Sequence, residues 1–96
     1  MIEFKDQDRE FIAWREMHPG GFVVNTYRNP SASYLKLHRA DCRTFRPPFT
    51  KNYIKLCATS VDDLNDWAAR NVAGFHGLDP CKTCKPEGWS PGRFSA

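Results

Sequence analysis

The first residues lack the marks of an export leader. Met1, Ile2, Glu3, Phe4, Lys5 and Asp6 are largely polar and acidic. No basic segment leads into an apolar one, so no secretory signal is expected. No apolar run approaches the roughly 20 residues that cross a bilayer, and no membrane location is expected. The chain contains no His-Glu-x-x-His pair and no glycine loop of the phosphate-cradling kind. Gly20-Gly21 comes after a predicted helix and before a predicted strand, the reverse of the order such a loop needs. There is no internal repeat and no low-complexity segment. Metalloprotease and nucleotide-binding chemistry therefore have no sequence support.

What remains is a chain of 96 residues, 26% of them charged. One domain is the natural reading of that length. A domain so small is marginal on its core alone, although seven Phe, three Trp and three Tyr provide core material. A staple is expected. Four cysteines can supply it as disulfides or as metal ligands. In a reducing cytoplasm, the location expected here, metal is the favoured use.

Residues 6–17 read as a helix, with Asp6 or Asp8 as cap and Phe11, Trp14 and Met17 at helical spacing. Pro19, Gly20 and Gly21 end it. Residues 22–27 are β-branched and aromatic and read as a strand; residues 28–33 read as a turn or loop. Residues 34–38 alternate, with Leu35 and Leu37 on one face and Tyr34, Lys36 and His38 on the other. Pro47 and Pro48 exclude regular structure between 39 and 52. Residues 53–57 alternate again through Ile54 and Leu56. Ser60 with Asp63 approximates a capping box. Behind it Val61, Leu64, Trp67, Ala68 and Val72 form one apolar stripe, with Gly74 and Gly77 at its exit. The expected fold is α+β: a small zinc-stapled domain over residues 1–86, with a three-stranded antiparallel sheet and two helices. Residues 87–96 form a Pro/Gly/Ser-rich tail that is poorly ordered unless Trp89 or Phe94 pins it.

Zinc favours tetrahedral thiolate and imidazole ligands, commonly delivered as two short-spaced pairs. Cys81 and Cys84, two residues apart, are one such pair; His38 and Cys42, three residues apart at a strand exit, are the other. One zinc ion per chain is expected at these four residues. Cys57 is the competing fourth ligand, with His38 then an ordinary strand histidine. Read as a non-ligand, Cys57 is a small buried hydrophobe. His18 and His76 have no paired partner and read as surface residues. Four protein ligands leave no open position for water or substrate, so no catalytic residue is assigned. Asp62, Asp63 and Asp66 suit the positive end of a helix dipole and need no catalytic role.

With its His38-Arg39-Ala40-Asp41-Cys42 and Pro80-Cys81-Lys82-Thr83-Cys84 strings, the stretch from Tyr34 to Pro86 resembles the N-terminal zinc-binding domain of Ada-type DNA alkylation-repair regulators. There a strand ends in Cys-Arg-Pro-Ser-Cys, a strand and helix follow, and a Pro-Cys-Lys-Arg-Cys knuckle closes the site. Small bacterial zinc modules attached to DNA-processing proteins are similar too. The resemblance implies a DNA-binding role, but it places His38 where that family carries its methyl-accepting cysteine. An imidazole cannot replace a zinc-activated thiolate, so phosphotriester repair is not expected here. The 43–52 loop and the 61–72 helix are longer than in the family's pattern, and residues 1–33 lie outside it.

Net charge is only +3, but it is segregated. Residues 28–57 hold seven bases against Asp41 alone, whereas the flanks are near neutral. Arg39, Arg43, Arg46 and Lys51 surround the first ligand pair, and Lys82 and Lys85 the second. Joined by zinc, they would form one basic surface for DNA or RNA phosphates, with Tyr34 and Tyr53 either stacking on bases or packing in the core. Two other readings stay open. One is a protein-interaction or accessory subunit, favoured by the aromatic load and the acidic first helix. The other is charge balance, because three thiolates and Zn²⁺ sum to −1 and nearby cations offset that.

Overall fold

The computed structural model describes residues 1–43, 45 and 52–84. It has α+β architecture: β1 (Ile2–Phe4), α1 (Asp8–Met17), β2 (Phe22–Ser31), β3 (Tyr34–Arg39), β4 (Tyr53–Ala58), α2 (Val61–Asn71) and β5 (Asp79–Pro80). The two helices agree with the sequence reading. The sheet corrects it: there are five strands in the order β1-β4-β2-β3-β5. All pairings are antiparallel except β3 with β5, which is parallel. The three expected strands form its centre. Both additional strands are edge strands of two or three residues, too short to carry a readable period.

Alternation along the central strands gives the sheet two distinct faces. Val24, Leu35, Leu37, Ile54, Leu56 and Ala58 point towards α2 and pack on Leu64, Ala68 and Val72. Val61 and Trp67 of the predicted stripe pack at the margin of this core. Val23 and Cys57 point the other way, into a smaller cluster with Phe4, Phe11 and Trp14.

Helix capping follows the expectation at one end of the chain only. Ser60 caps α2, its hydroxyl accepting the Asp62 backbone N–H at 3.1 Å. At α1 the cap position falls to Gln7, whose side chain makes no capping bond. Asp6 instead takes a positive φ of 57° and pairs with Arg28 at 2.6 Å. Strand β2 also outruns the predicted 22–27 and takes up much of the expected loop. Its register with β3 shifts between Thr26 and Ser31; Pro30, which has no N–H to donate, falls inside this irregular stretch. Gly21 is required by packing, since a Cβ there would lie 2.7 Å from the Trp14 ring. At the exit of α2, Gly74 takes φ +74°, which suits a residue without a Cβ. The predicted tail at 87–96 lies outside the described residues.

Candidate metal centre

Strand pairing brings the two ligand pairs together. His38 is the next-to-last residue of β3. The chain then turns, with the Cys42 N–H donating to the Arg39 carbonyl at 3.0 Å. That turn returns Cys42 to the end of the strand it has just left. The second pair arrives on β5, which pairs Lys36 with Asp79 and Leu37 with Pro80. Two further bonds fix this edge: the Cys81 N–H to the Leu37 carbonyl at 2.8 Å, and the Lys36 ammonium to the Asp79 carboxylate at 2.6 Å. Short as it is, β5 sets where Cys81 and Cys84 sit relative to His38.

The ligand atoms of His38, Cys42, Cys81 and Cys84 all lie within 4.8 Å of one another. The Cys42 and Cys81 sulfurs are 4.0 Å apart, and all four cysteines of the chain are free thiols. A disulfide needs about 2.05 Å. Two sulfurs on one tetrahedral zinc, with bonds of about 2.3 Å, lie about 3.8 Å apart. The separation observed therefore fits a shared ion. The chemistry of the donors fits as well. His38, Cys42 and Cys81 are buried and Cys84 is half-buried. His38 Nδ1 is buried with no hydrogen-bond partner among the described residues.

The electrostatics run the same way. Burial, helped by Lys36, Lys55 and Arg15, pushes the His38 pKa down to about 4 and keeps the imidazole neutral, the form that ligates metal. Burial works against a charged Cys81, but the backbone N–H groups of Cys84 and Thr83 and the neighbouring thiols outweigh it and lower its pKa. Cys84 goes the opposite way. Burial and the Cys42 and Cys81 sulfurs raise it, against the Arg39 N–H that it accepts at 3.2 Å. Sulfurs this close cannot all ionise unless a cation sits among them. A divalent metal held by all four residues would supply that charge.

Cys57 does not compete for the ion. Its register partner is Val23, and Val23 in turn pairs with His38. Cys57 is thus two strands from His38, about 10 Å at ordinary strand spacing. It is fully buried, and burial raises its pKa to about 12. It packs as an apolar side chain among Phe4, Phe11 and Trp14.

Arg15 is a contributor that the sequence did not reveal. From α1 its guanidinium donates to three carbonyls of the ligand-bearing turn: Ala40, Cys42 at 3.0 Å and Phe45 at 3.3 Å. Its cationic carbon lies 5.0 Å from the Phe45 ring centre, and that ring packs on the His38 imidazole at 4.6 Å. Contacts that cross 25 to 30 residues of chain leave no trace in local spacing.

Of the six predicted nucleic-acid contacts, Arg39, Arg43 and Lys82 each directly follow a ligand in sequence, so their backbones adjoin the ligand cluster. Arg39 is part of an ion pair with Asp41 at 3.4 Å. Arg46, Lys51 and Lys85 lie outside the described residues. Among the described residues no helix is long and apolar enough to cross a membrane. No family model, no curated protein and no solved structure matches this chain, so the reading of its site rests on the geometry given above.

Proposed function

We propose that this protein is a non-catalytic zinc-stapled module that binds nucleic acid through the basic residues around its metal centre. The observation that carries the metal half of this reading is the convergence of His38, Cys42, Cys81 and Cys84 within 4.8 Å. Zinc is the metal suited to a closed set of three thiolates and one imidazole. A filled shell leaves no position for substrate, which favours a structural role over a catalytic one. The free, buried thiols fit a reducing cytoplasm.

The nucleic-acid half rests on charge. Seven of the fourteen bases fall within residues 28–57 beside a single acid, and Arg39, Arg43 and Lys82 adjoin the ligands. The order and spacing of the ligand pairs, and the Pro-Cys-Lys-x-Cys string, support kinship with Ada-type zinc domains and a DNA-binding role of that kind. His38 in the acceptor position argues against alkyl transfer. One observation favours a protein partner instead: Arg39 and Lys36 are already paired with Asp41 and Asp79, so part of the basic block is neutralised within the chain.

Elemental analysis of protein purified without added metal should give one zinc per chain. His38→Ala, Cys42→Ser, Cys81→Ser and Cys84→Ser should each lose it, and Cys57→Ser should keep it. The zinc-loaded protein should bind oligonucleotides with an affinity that falls by roughly 0.9 log unit per log salt for each duplex phosphate contact. Arg43→Gln and Lys82→Gln should flatten that slope. Absence of binding at low salt would leave the protein-interaction reading in its place.

A further inference from the structure

The chain has three tyrosines, and all three meet on one face of the sheet. Tyr27, Tyr34 and Tyr53 come from adjacent strands, with ring centres 5.4, 5.5 and 5.6 Å apart. None belongs to either hydrophobic core. Tyr27 is 41% exposed, and the other two are half-buried.

Register places the cluster relative to the metal. Tyr27 pairs with Tyr53, Asn25 with Lys36 and Lys55, and Val23 with His38 and Cys57. Residues two apart on a strand share a face. The face that carries His38 therefore reads, row by row, as metal ligand, then lysines around an asparagine, then tyrosines. The rows are bonded to one another: the Lys55 ammonium donates to Asn25 Oδ1 at 2.7 Å, and Asn25 Nδ2 donates to the Tyr34 hydroxyl at 3.4 Å. The tyrosines border or lie within the basic segment 28–57.

From this arrangement we infer that the Tyr27–Tyr34–Tyr53 cluster is a stacking platform for the unpaired bases of single-stranded nucleic acid, its backbone directed towards the basic knuckles. The inference rests on the nucleic-acid reading and narrows it to single strands. An aromatic side chain can stack only on a base that a duplex partner does not cover, and it does so with little regard to sequence. The helices are poor alternatives for reading a duplex groove. Helix α2 carries Asp62, Asp63 and Asp66 against Arg70, and α1 carries Asp8, Glu10 and Glu16 against Arg9 and Arg15. Arg15 is in addition turned inward onto the ligand-bearing turn. Acidic helices are repelled by phosphate, whereas the tyrosine end of the sheet offers three adjoining rings. The lysines of the next row are committed within the fold, Lys36 to Asp79 and the buried Lys55 to Asn25, so phosphate contact falls to the basic knuckles.

The test is a titration of the full-length, zinc-loaded protein with labelled mixed-sequence single-stranded DNA, the same sequence as RNA, and the matching DNA duplex, at low and moderate salt. Tyr27→Ser removes the most exposed ring, and Tyr27→Phe keeps it. Single strands, of DNA, RNA or both, should bind at least about tenfold more tightly than duplex. Tyr27→Ser should weaken that binding by at least about fivefold, the low end of one base–aromatic stack, with an unchanged salt slope. Tyr27→Phe should stay within about twofold of the parent. Zinc content and melting temperature of each variant establish that the fold is intact. Equal or tighter duplex binding, or indifference to Tyr27→Ser, overturns the platform while leaving the nucleic-acid reading standing. No binding to any probe at low salt overturns both and assigns the tyrosine face to a protein partner.

Discussion

The two faces of the sheet solve the problem of a small core by different means. The face under α2 is apolar but for the buried Thr26: Leu37, Leu56, Leu64 and Ala68 are fully buried among apolar neighbours, and no metal ligand lies within that core. The face under α1 mixes an aromatic cluster with a buried lysine, a buried histidine, a guanidinium bonded to three carbonyls and a buried thiol. Apolar burial is the main stabilisation of the first face, where Thr26 is the polar exception. The second is stable only while its polar groups are satisfied, because an unpartnered buried polar group costs about 1–3 kcal/mol. The α2 face should thus behave as a scaffold that stands without metal, and the α1 face as the part whose order depends on it.

Metal removal is the strongest test of that contrast. Chelation should lower stability by on the order of 5 kcal/mol or more, since structural zinc contributes folding free energy directly. The loss should be uneven. Amide exchange should accelerate in residues 38–42 and 79–84 while α2 and β4 stay protected. Uniform loss of protection would mean that the two faces form one cooperative unit. The converse perturbation is Leu64→Ala, which opens a cavity under α2. It should cost about 2–5 kcal/mol and leave the zinc content at one per chain by elemental analysis.

The division between the faces also explains what the sequence disclosed. The α2 face was legible because burial there follows simple periods: Leu35 and Leu37, Ile54 and Leu56, and the stripe from Leu64 to Val72. The ligand pairs were legible because each is a local spacing within a turn. Their junction was not, since it depends on β5, two residues whose strand character comes only from pairing with β3. Strand β1 was missed for the same reason, being ordered by β4 from more than fifty residues away. The α1 cap was misassigned because Asp6 is drawn to Arg28, a competing partner that propensity cannot reveal. The tyrosine cluster was half visible. Tyr34 and Tyr53 stand out on alternating strands, but the third ring needs the register of β2.

Acid should separate the faces again, more gently. The His38 pKa is held near 4 in the fold, against about 6.5 in an unfolded chain. The unfolded state therefore binds more protons between those values, and stability falls as pH falls through that window. The contribution is fully present above pH 6.5 in the metal-free fold, where no ion holds the imidazole. Protons competing for the metal-bound thiolates act in the same direction. Thermal melts of the zinc-loaded protein at pH 7.5, 6 and 4.5 should show this decline. Leu64→Ala should lie below the parent by a constant amount at each pH, because no titrating group lines its cavity. A parent profile flat down to pH 4.5 would show that protons do not compete for His38 or the thiolates, and the metal centre would no longer be the acid-sensitive part of the fold.

The smallest expected effect concerns how α1 takes part in the metal centre. Arg15 joins that helix to the ligand-bearing turn through the carbonyls of Ala40, Cys42 and Phe45. It also places a positive charge beside a site that three thiolates and a divalent ion leave net negative. Arg15→Met keeps an unbranched apolar stem against Phe11 and Phe45 but removes the donors and the charge. The orphaned carbonyls belong to a largely buried turn, with Ala40 and Cys42 fully buried, so the cost in stability should be about 1–3 kcal/mol. Arg15→Lys restores the charge but cannot serve three carbonyls with one ammonium group; its loss should lie between parent and Met. The decisive readout is metal retention against a competing chelator. If Arg15 positions Cys42, Arg15→Met should give up zinc about tenfold more readily, while Leu64→Ala, with an equal or larger loss of stability, should not. Should the two variants retain zinc equally well, Arg15 merely attaches α1 to the sheet, and the metal centre is complete in β3, β5 and their turns.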